Sequence, residues 1–557
     1  MITPTSGAAP LVSLGPLSGP FPDVGHGPYR FMRGAMARAR RGFEDGLTDP
    51  AGAQQRRLAA ILTGAAGTAF ARDHGLRGGE DLAAFRAAVP VRTHAELVPW
   101  LDRVVAGEPG VLTRAPVRML LETSGTTGRP KWLPVTDAWA RTYGDAQELW
   151  VLGLLRDDEG LRHGKAFSIV SSAARLRSPG GLPVGANTGR MFLAQPWWLR
   201  LRAPIPYRAY LIDDPEVRAY TLLRLALSAN VVAWTTANPS TILLYTRRLR
   251  TWWEDLRADV AEGTLRRGPA AALSTADRRR LWWWLRRRAL PPEPVPTQIW
   301  PLRRVNCWTG GASAYFLDRL PAALGAPVPV REAGVNASEG YFAIPVDDGD
   351  PVAHLGGHLL EFMPEEATDP AEIRAAWELE VGQTYRLIVT TEAGLYRYDL
   401  ADLVRVTGYC GAAPRLVFVR KAGSVMNATG EKVTDTQVLA AVRTALPGVT
   451  AFSASLGWAE VPWHRLAVEG PGGPDAVAAA ARYDEALSNL NVEYASKRET
   501  GRLAPPRVSA VPEGTFAAWR AARIAAGAPE AQVKDPLLLD PDRWDALVQG
   551  SGPRGRP

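Results

Sequence analysis

The feature that most constrains this chain is a repeated pairing. Short apolar runs end in polar, glycine-containing tails and are set apart by longer helical stretches. The runs are "RMLLETSG" (118–125), "AFSIVSSAA" (166–174), "VVAWTTANPS" (231–240), "RRVNCWTGG" (303–311) and "VPVREAGVNASEG" (328–340). Each reads as a buried strand entering a loop. Between them, "EVRAYTLLRLALSA" and "TILLYTRRLRTWWEDL" carry helical periodicity. Strand–helix alternation predicts an α/β fold with mostly parallel sheets flanked by helices. Ligands in such folds sit at the carboxyl ends of strands, so the polar tails are candidates to meet at one site.

The pattern changes near residue 355. "HLLEFMP", "TYRLIVTT", "GLYRYDLADLVRVTG" and "RLVFVR" are closely spaced strands with no room for helices between them, which predicts an antiparallel subdomain. The polar stretch "RKAGSVMNATGEKVTD" (420–435) reads as a hinge, and the patterns beyond it as a small, mobile α+β domain. The expected organisation is a flexible arm (1–27), a large N-terminal domain (28–420), a hinge (421–435), a C-terminal domain (436–545) and a disordered tail (546–557).

Composition removes several functional classes. The chain has 557 residues, 46% of them apolar and 22% charged, ordinary values for a multidomain globular protein. The net charge of +8 is spread along the chain, with arginine favoured over lysine. That reads as genome composition rather than a nucleic-acid surface, so no nucleic-acid partner is expected. Two cysteines, Cys307 and Cys410, exclude a disulfide framework or a cysteine-rich zinc site. No apolar run is long enough for a membrane span, and the first residues lack a basic n-region, so a cytoplasmic location is expected. The cluster "TADRRRLWWWLRRRAL" (275–290) reads as a helix with Leu281, Trp284 and Leu285 packed on the domain and arginines in solvent; docking on a membrane surface is the rival reading.

The stretch "LLETSGTTGRPKWLPVT" (120–136) carries the chemistry. Thr123, Ser124, Thr126 and Thr127 surround Gly125 and Gly128, and Lys131 follows. A glycine-rich loop after a strand presents N–H groups and hydroxyls to a phosphate, and the lysine adds a point charge. The order differs from a Walker loop, which needs Gly-Lys-Ser/Thr. A solvated turn would explain the glycines but not four hydroxyls and a lysine.

This string resembles the signature of adenylate-forming enzymes, which join a carboxylic acid to AMP and pass the acyl group to an amine or thiol. That resemblance implies ATP and Mg²⁺, and each further part has a candidate. "NASEG" (336–340) offers Glu339 for Mg²⁺, "YRYDLADLVRV" (396–406) offers Asp402 for the ribose with Arg405 nearby, and "QVKDP" (532–536) offers Lys534. Lys432, in the hinge-like stretch, is a further nucleotide contact to weigh against a surface lysine. "CWTGGASAYFLDRL", "NASEGYFAIP", "HLLEFMPEE", "VGQTYRLIVTTEAGLYRYDLADLVRVTGY" and "GTFAAWR" with "QVKDP" resemble the Gretchen Hagen three family of acyl acid–amido synthetases, most closely its bacterial branch.

The resemblance implies that Thr123–Gly128 and Lys131 hold the ATP phosphates, that Ser338 and Glu339 belong to a second motif and that Asp402 belongs to a third. Lys131 and Lys534 would be catalytic. Two departures stand out. Val335 occupies the place of a tyrosine in the plant motif, with Tyr341 a candidate to replace it, and Ala401 stands where a glycine usually precedes the aspartate. Trp234 and Tyr315 are candidate walls of an acyl pocket. The implied activity is amide synthesis from a small carboxylic acid and an amine, with an acyl-CoA ligase or a non-catalytic binding member as alternatives.

Overall fold

The strand Val231–Thr235 is buried on both faces, which is why it reads as a continuous apolar run. It lies inside a four-stranded, all-parallel sheet ordered Lys165–Ser168, Val231–Thr235, Arg304–Cys307, Val330–Glu332. The helix Pro215–Leu227 packs among the residues of this core. Its start is set by Asp214, whose carboxylate accepts from the Glu216 and Val217 N–H groups, with proline at the first helical position. Phe167, Trp234 and Trp300 form an aromatic cluster, with centroids of 5.0 Å between Phe167 and Trp234 and 5.7 Å between Trp234 and Trp300.

The computed structural model describes residues 29–123, 131–195, 200, 203–310, 313–367, 369–422, 425–470, 475–525 and 537–549. The chain divides into two units, one of Met1–Thr123 with Trp132–Ala422 and the other of Ser124–Lys131 with Gly423–Pro557. Among the described residues no helix is long and apolar enough to cross a membrane.

The run "RMLLETSG" does not join the parallel sheet. Its strand, Val117–Thr123, belongs to a second sheet ordered Lys131–Thr136, Val117–Thr123, Pro183–Gly185, Leu176–Arg177. It pairs in parallel with Pro183–Gly185, while Leu176–Arg177 returns antiparallel. The edge exists because the chain turns tightly over 178–182, where Gly181 has φ +81° and Gly180 lies against the Gly107 backbone. An apolar run announces a strand but not which sheet receives it.

The antiparallel sheet begins at Val335, earlier than the change near residue 355. Its order is Arg374–Ala375, Leu359–Pro364, Thr384–Thr390, Tyr398–Cys410, Ala413–Lys421, Val352–Ala353, Tyr341–Ile344, Val335–Asn336. The single run 328–340 therefore serves two sheets. Val330–Glu332 closes the parallel one and Val335–Asn336 opens the antiparallel one. Gly334 makes the switch at φ +85°, where a Cβ would stand 2.5 Å from the Ala343 carbonyl oxygen.

The helix Asp137–Asp157 packs its buried Trp139, Tyr143 and Trp150 against this core. On the same helix, burial and the neighbouring charge of Asp145 push the Glu148 carboxyl up to about 7, with Arg38 opposing. The folded protein therefore holds a proton that the unfolded chain has released, so stability falls as pH rises from the ordinary glutamate range toward 7. Glu148→Gln is expected to raise stability by about 1 kcal/mol at pH 8, after discounting for solvent screening, and to change little at pH 5. Thermal melts at both pH values test this, and an equal gain at both would refute it.

In the second unit, Ala451–Gly457 pairs antiparallel with Trp463–Glu469, which pairs in parallel with Ala504–Ala510. The helices Asp435–Ala445 and Ala476–Leu490 contribute Val438, Tyr483 and Leu487 to its core. The polar stretch expected as a hinge contains a small hairpin of Val425–Met426 with Val433–Thr434. Its turn closes on buried Glu431, which accepts from the Ala428 and Thr429 N–H groups at 2.9 and 2.8 Å. Burial raises that carboxyl, but His464 and these N–H groups outweigh it and hold it below the ordinary range.

Candidate active site

The second motif sits at the tip of a β-hairpin. Asn336 pairs with Tyr341 and Val335 with Ala343, and the turn between them closes through Ala337 N–H donating to the Gly340 carbonyl at 2.8 Å. Gly340 is required, since a Cβ there would fall 2.6 Å from the His358 ring. Ser338 and Glu339 occupy the turn, half-buried. The Trp139 indole N–H donates to the Glu339 carbonyl at 2.8 Å, and the Arg190 guanidinium stands 5.2 Å from the Trp139 ring. The helix Asp137–Asp157 thereby fixes the backbone that carries Glu339.

The third motif sits on a β-bulge. The register between Thr384–Thr390 and Tyr398–Cys410 slips where Leu403 faces Arg386 and Asp399 faces Ile388. A bulge of this kind re-aims side chains. Inside it Ala401 has φ +54°, with its N–H donating to Asp399 Oδ1 at 2.8 Å and its carbonyl accepting from Ala422. Asp402 is buried, and its Oδ1 meets Lys421 Nζ at 2.5 Å. Lys421 also donates to the Leu400 carbonyl at 2.7 Å.

The charges of the two motifs act on one side chain. Tyr398 is buried, and its hydroxyl is held well above the ordinary tyrosine range by burial and then by the charges of Glu339, Asp402 and Asp399. A third wall comes from the parallel sheet. After Arg304–Cys307, the Thr309 N–H donates to Glu332 Oε2 at 2.8 Å, while Gly334 N–H donates to Oε1 at 2.9 Å. Gly310 approaches the antiparallel sheet so closely that a Cβ would stand 2.5 Å from the Phe418 carbonyl oxygen. The carboxyl ends of the parallel strands are thus pinned onto the strand that carries Lys421. Burial pushes the Glu332 carboxyl up, against the hydrogen bonds it accepts.

Sequence reasoning missed Glu332 and Lys421. Glu332 carries a signal, an acid at the carboxyl end of an apolar strand. Lys421 carries none, because its pairing with Asp402 depends on register.

Several expected site residues are placed elsewhere. Tyr341 is buried, its ring 5.5 Å from that of Tyr143 and its hydroxyl donating to the Ala333 carbonyl at 2.6 Å, so it serves the core and offers no exposed stacking face. Arg405 is exposed, and an odd spacing along the strand puts it on the face opposite Asp402. Trp234 is wholly buried between Phe167 and Trp300, a core residue rather than a pocket wall. Lys432 lies in the second unit, where its carbonyl accepts from Asn491 and its charge acts on Glu493. Thr123 ends its strand and Lys131 begins the next, both half-buried. Ser124, Gly125, Thr126, Thr127, Gly128, Lys534 and the Tyr315 side chain lie outside the described residues.

The left-handed backbone at Ala401 gives the glycine-to-alanine departure a physical meaning. An L-residue there costs roughly 1–2 kcal/mol, and glycine would return about half of that in unfolded-state entropy. Ala401→Gly is expected to stabilise the protein by about 0.5–1 kcal/mol, read as a rise in unfolding midpoint. A lower midpoint would show that the alanine methyl contributes packing that outweighs the strain.

The descriptions "GH3 family N-terminal domain", "GH3 family central domain" and "GH3 family C-terminal domain" match residues 39–330, 352–421 and 436–542 in turn. A probable indole-3-acetic acid-amido synthetase of Oryza sativa subsp. japonica is 28% identical, over 94% of this chain and 93% of the relative. The jasmonoyl–L-amino acid synthetase of Nicotiana attenuata is 25% identical over 72% of this chain and 74% of its own. Among solved structures, the GH3.15 acyl acid amido synthetase superposes with a TM-score of 0.62 at 21% identity, covering 92% of this chain and 96% of that one, a likeness of fold.

The class defined by fold and sequence is thus a two-unit α/β protein with the architecture of an acyl acid amido synthetase. The chain belongs to the GH3 family.

Proposed function

We propose that the protein is an acyl acid–amido synthetase. It adenylates a carboxylic acid with ATP, releasing pyrophosphate, and then passes the acyl group to an amine, releasing AMP. The amine is an amino acid in our reading. The observation that carries this is the match of all three family domains in order, on a chain that also contains the string Ser-Gly-Thr-Thr-Gly-Arg-Pro-Lys at 124–131.

In the first step the carboxylate attacks the α-phosphorus and negative charge builds on the phosphates. The 123–128 loop and Lys131 stabilise that charge, with Lys534 from the C-terminal region. Mg²⁺ is commonly held by one or two carboxylates together with waters and substrate phosphates, and Glu339 is the carboxylate the hairpin tip offers. When bound it neutralises phosphate charge. Asp402 accepts from the ribose through an oxygen not held by Lys421, and Ser338 assists at the hairpin tip. Glu332 positions the Thr309 loop.

The acyl-adenylate is then attacked by a neutral amine. The second unit is proposed to swing between the two steps, with the 425–434 hairpin moving as part of it because it belongs to that unit and its buried Glu431 stands 3.4 Å from His464. We place the reaction in the cytoplasm, where ATP is supplied. We place the chain in a bacterial branch on the resemblance of the quoted strings, although the relatives described above are plant proteins.

The test is ATP–pyrophosphate exchange over a panel of aryl, indolyl and fatty acids, followed by amino acids or CoA as acceptor. Exchange that needs one acid, followed by amide formation, is the expected result. A thioester with CoA instead would make the protein an acyl-CoA ligase. ATP binding without exchange for any acid would favour the non-catalytic reading.

A further inference from the structure

The cluster 275–290 is not the single packed helix that its pattern suggests. The α-helix stops at Leu281 and a 3₁₀ turn, Trp282–Trp284, takes over. Leu281 stays buried, but the change of helix type turns the next two residues outward. Trp282 and Trp283 are 61% and 63% exposed, with their rings edge-on at 5.1 Å.

Their neighbourhood is apolar as well. Trp284 lines a cavity of about 420 Å³ together with Leu193, Leu211, Arg200 and Arg208. Leu193 and Leu211 are themselves 41% and 46% exposed. Arg208 donates to the Arg280 carbonyl at 3.2 Å, which ties the Tyr207–Leu211 turn to the tryptophan turn. Single exposed apolar residues are ordinary on a protein surface, but here exposed Leu193 and Leu211 line a cavity with Trp284, next in sequence to the exposed Trp282–Trp283 pair, a grouping of the kind that marks interaction sites.

The charge beside the tryptophan turn is mainly positive, although exposed Asp213 and Asp214 follow Leu211 and Asp277 stands 3.5 Å from Arg280. Between Arg266 and Arg288 the sequence holds eight arginines and a single acid, Asp277. Arg278 and Arg288 turn inward to backbone carbonyls, whereas Arg279, Arg280 and Arg286 are exposed beside the tryptophans.

We propose that this face docks the protein on an anionic lipid surface. Trp282 and Trp283 seat at headgroup depth, Leu193 and Leu211 border the apolar layer, and the exposed arginines meet lipid phosphates. Tryptophan prefers that interfacial level, and arginine pairs with phosphate through its planar fork. A protein partner would need an acidic, apolar counterpart to satisfy both properties, whereas an anionic bilayer supplies them together. Single-stranded nucleic acid would use the tryptophans for stacking but leave the exposed leucines and the cavity without a role. The proposal does not depend on the adenylation reading.

The test is co-sedimentation of the full chain with vesicles of phosphatidylcholine alone and of phosphatidylcholine mixed with phosphatidylglycerol. Binding is expected to the mixed vesicles and to weaken with salt. Trp282→Ala with Trp283→Ala should abolish it, and Arg279→Glu or Arg286→Glu should each weaken it about fivefold or more. Because all four side chains are exposed, unchanged unfolding midpoints are expected and serve as the folding control. No binding to mixed vesicles overturns the proposal, as does binding that the tryptophan variants leave intact. Binding to single-stranded DNA that these variants abolish, with none to vesicles, would replace lipid by nucleic acid.

Discussion

Lys131→Ala is expected to lower ATP–pyrophosphate exchange by about two to three orders of magnitude, the usual cost of removing one positioned charge from a transition state that gathers negative charge. The unfolding midpoint should hardly move. Lys131 opens a strand whose hold on the core comes from Leu133 and Val135, both buried. Glu339→Gln should lower exchange by a similar factor through a different route, removing the carboxylate proposed to hold Mg²⁺. The two variants are separable. Added Mg²⁺ should partly restore Glu339→Gln, because a weakened metal site can be refilled by mass action, and should do nothing for Lys131→Ala. Exchange within threefold of the unaltered protein in Lys131→Ala would end the adenylation reading of the 123–131 loop.

Much of the architecture was legible in the sequence because strand burial leaves a direct trace. Val231–Thr235 is apolar and buried from Val231 to Trp234, so strand and layer could be read together. Sheet membership was not legible. Residues 328–340 look like one strand and tail, yet Gly334 divides them between two sheets. Helix continuity failed at 281–284, where apolar periodicity persists although the hydrogen bonding changes type.

The candidate site divides along the same line. Glu339 and Asp402 were found as members of short strings, since a turn tip and a bulge are local structures. Their convergence on Tyr398 depends on register between strands distant in sequence, as does the pairing of Asp402 with Lys421. Aromatics misled for another reason. Trp234 and Tyr341 have the size and polarity of ligand-binding side chains, but these properties also suit a core residue with a single polar atom to accommodate, and burial decides between the two.

The Asp402–Lys421 pair permits the sharpest separation of structure from chemistry. Both side chains are largely buried, at 11% and 14% exposure. Removing one partner of a buried ion pair leaves the other charge uncompensated, at roughly 3–5 kcal/mol for a fully enclosed pair. Residual exposure, the Leu400 carbonyl and the nearby charge of Asp399, both of which Lys421 keeps, reduce this to about 2–3 kcal/mol for Asp402→Leu. In the double variant with Lys421→Met the pair is removed together, while Asp399, on which Lys421 also acts, keeps Arg386 at 3.3 Å, so most of that stability should return. Activity should not return with it. A lost hydrogen bond to a charged acceptor costs roughly 1.5–3 kcal/mol, so the KM for ATP should stay raised by about tenfold or more in both the single and the double variant. Denaturant melts and ATP titrations of pyrophosphate exchange over the four-protein cycle measure the two effects independently. If the double variant regained both stability and ATP affinity, Asp402 would be a structural partner of Lys421 alone, and the ribose contact would have to be sought on another residue near Tyr398.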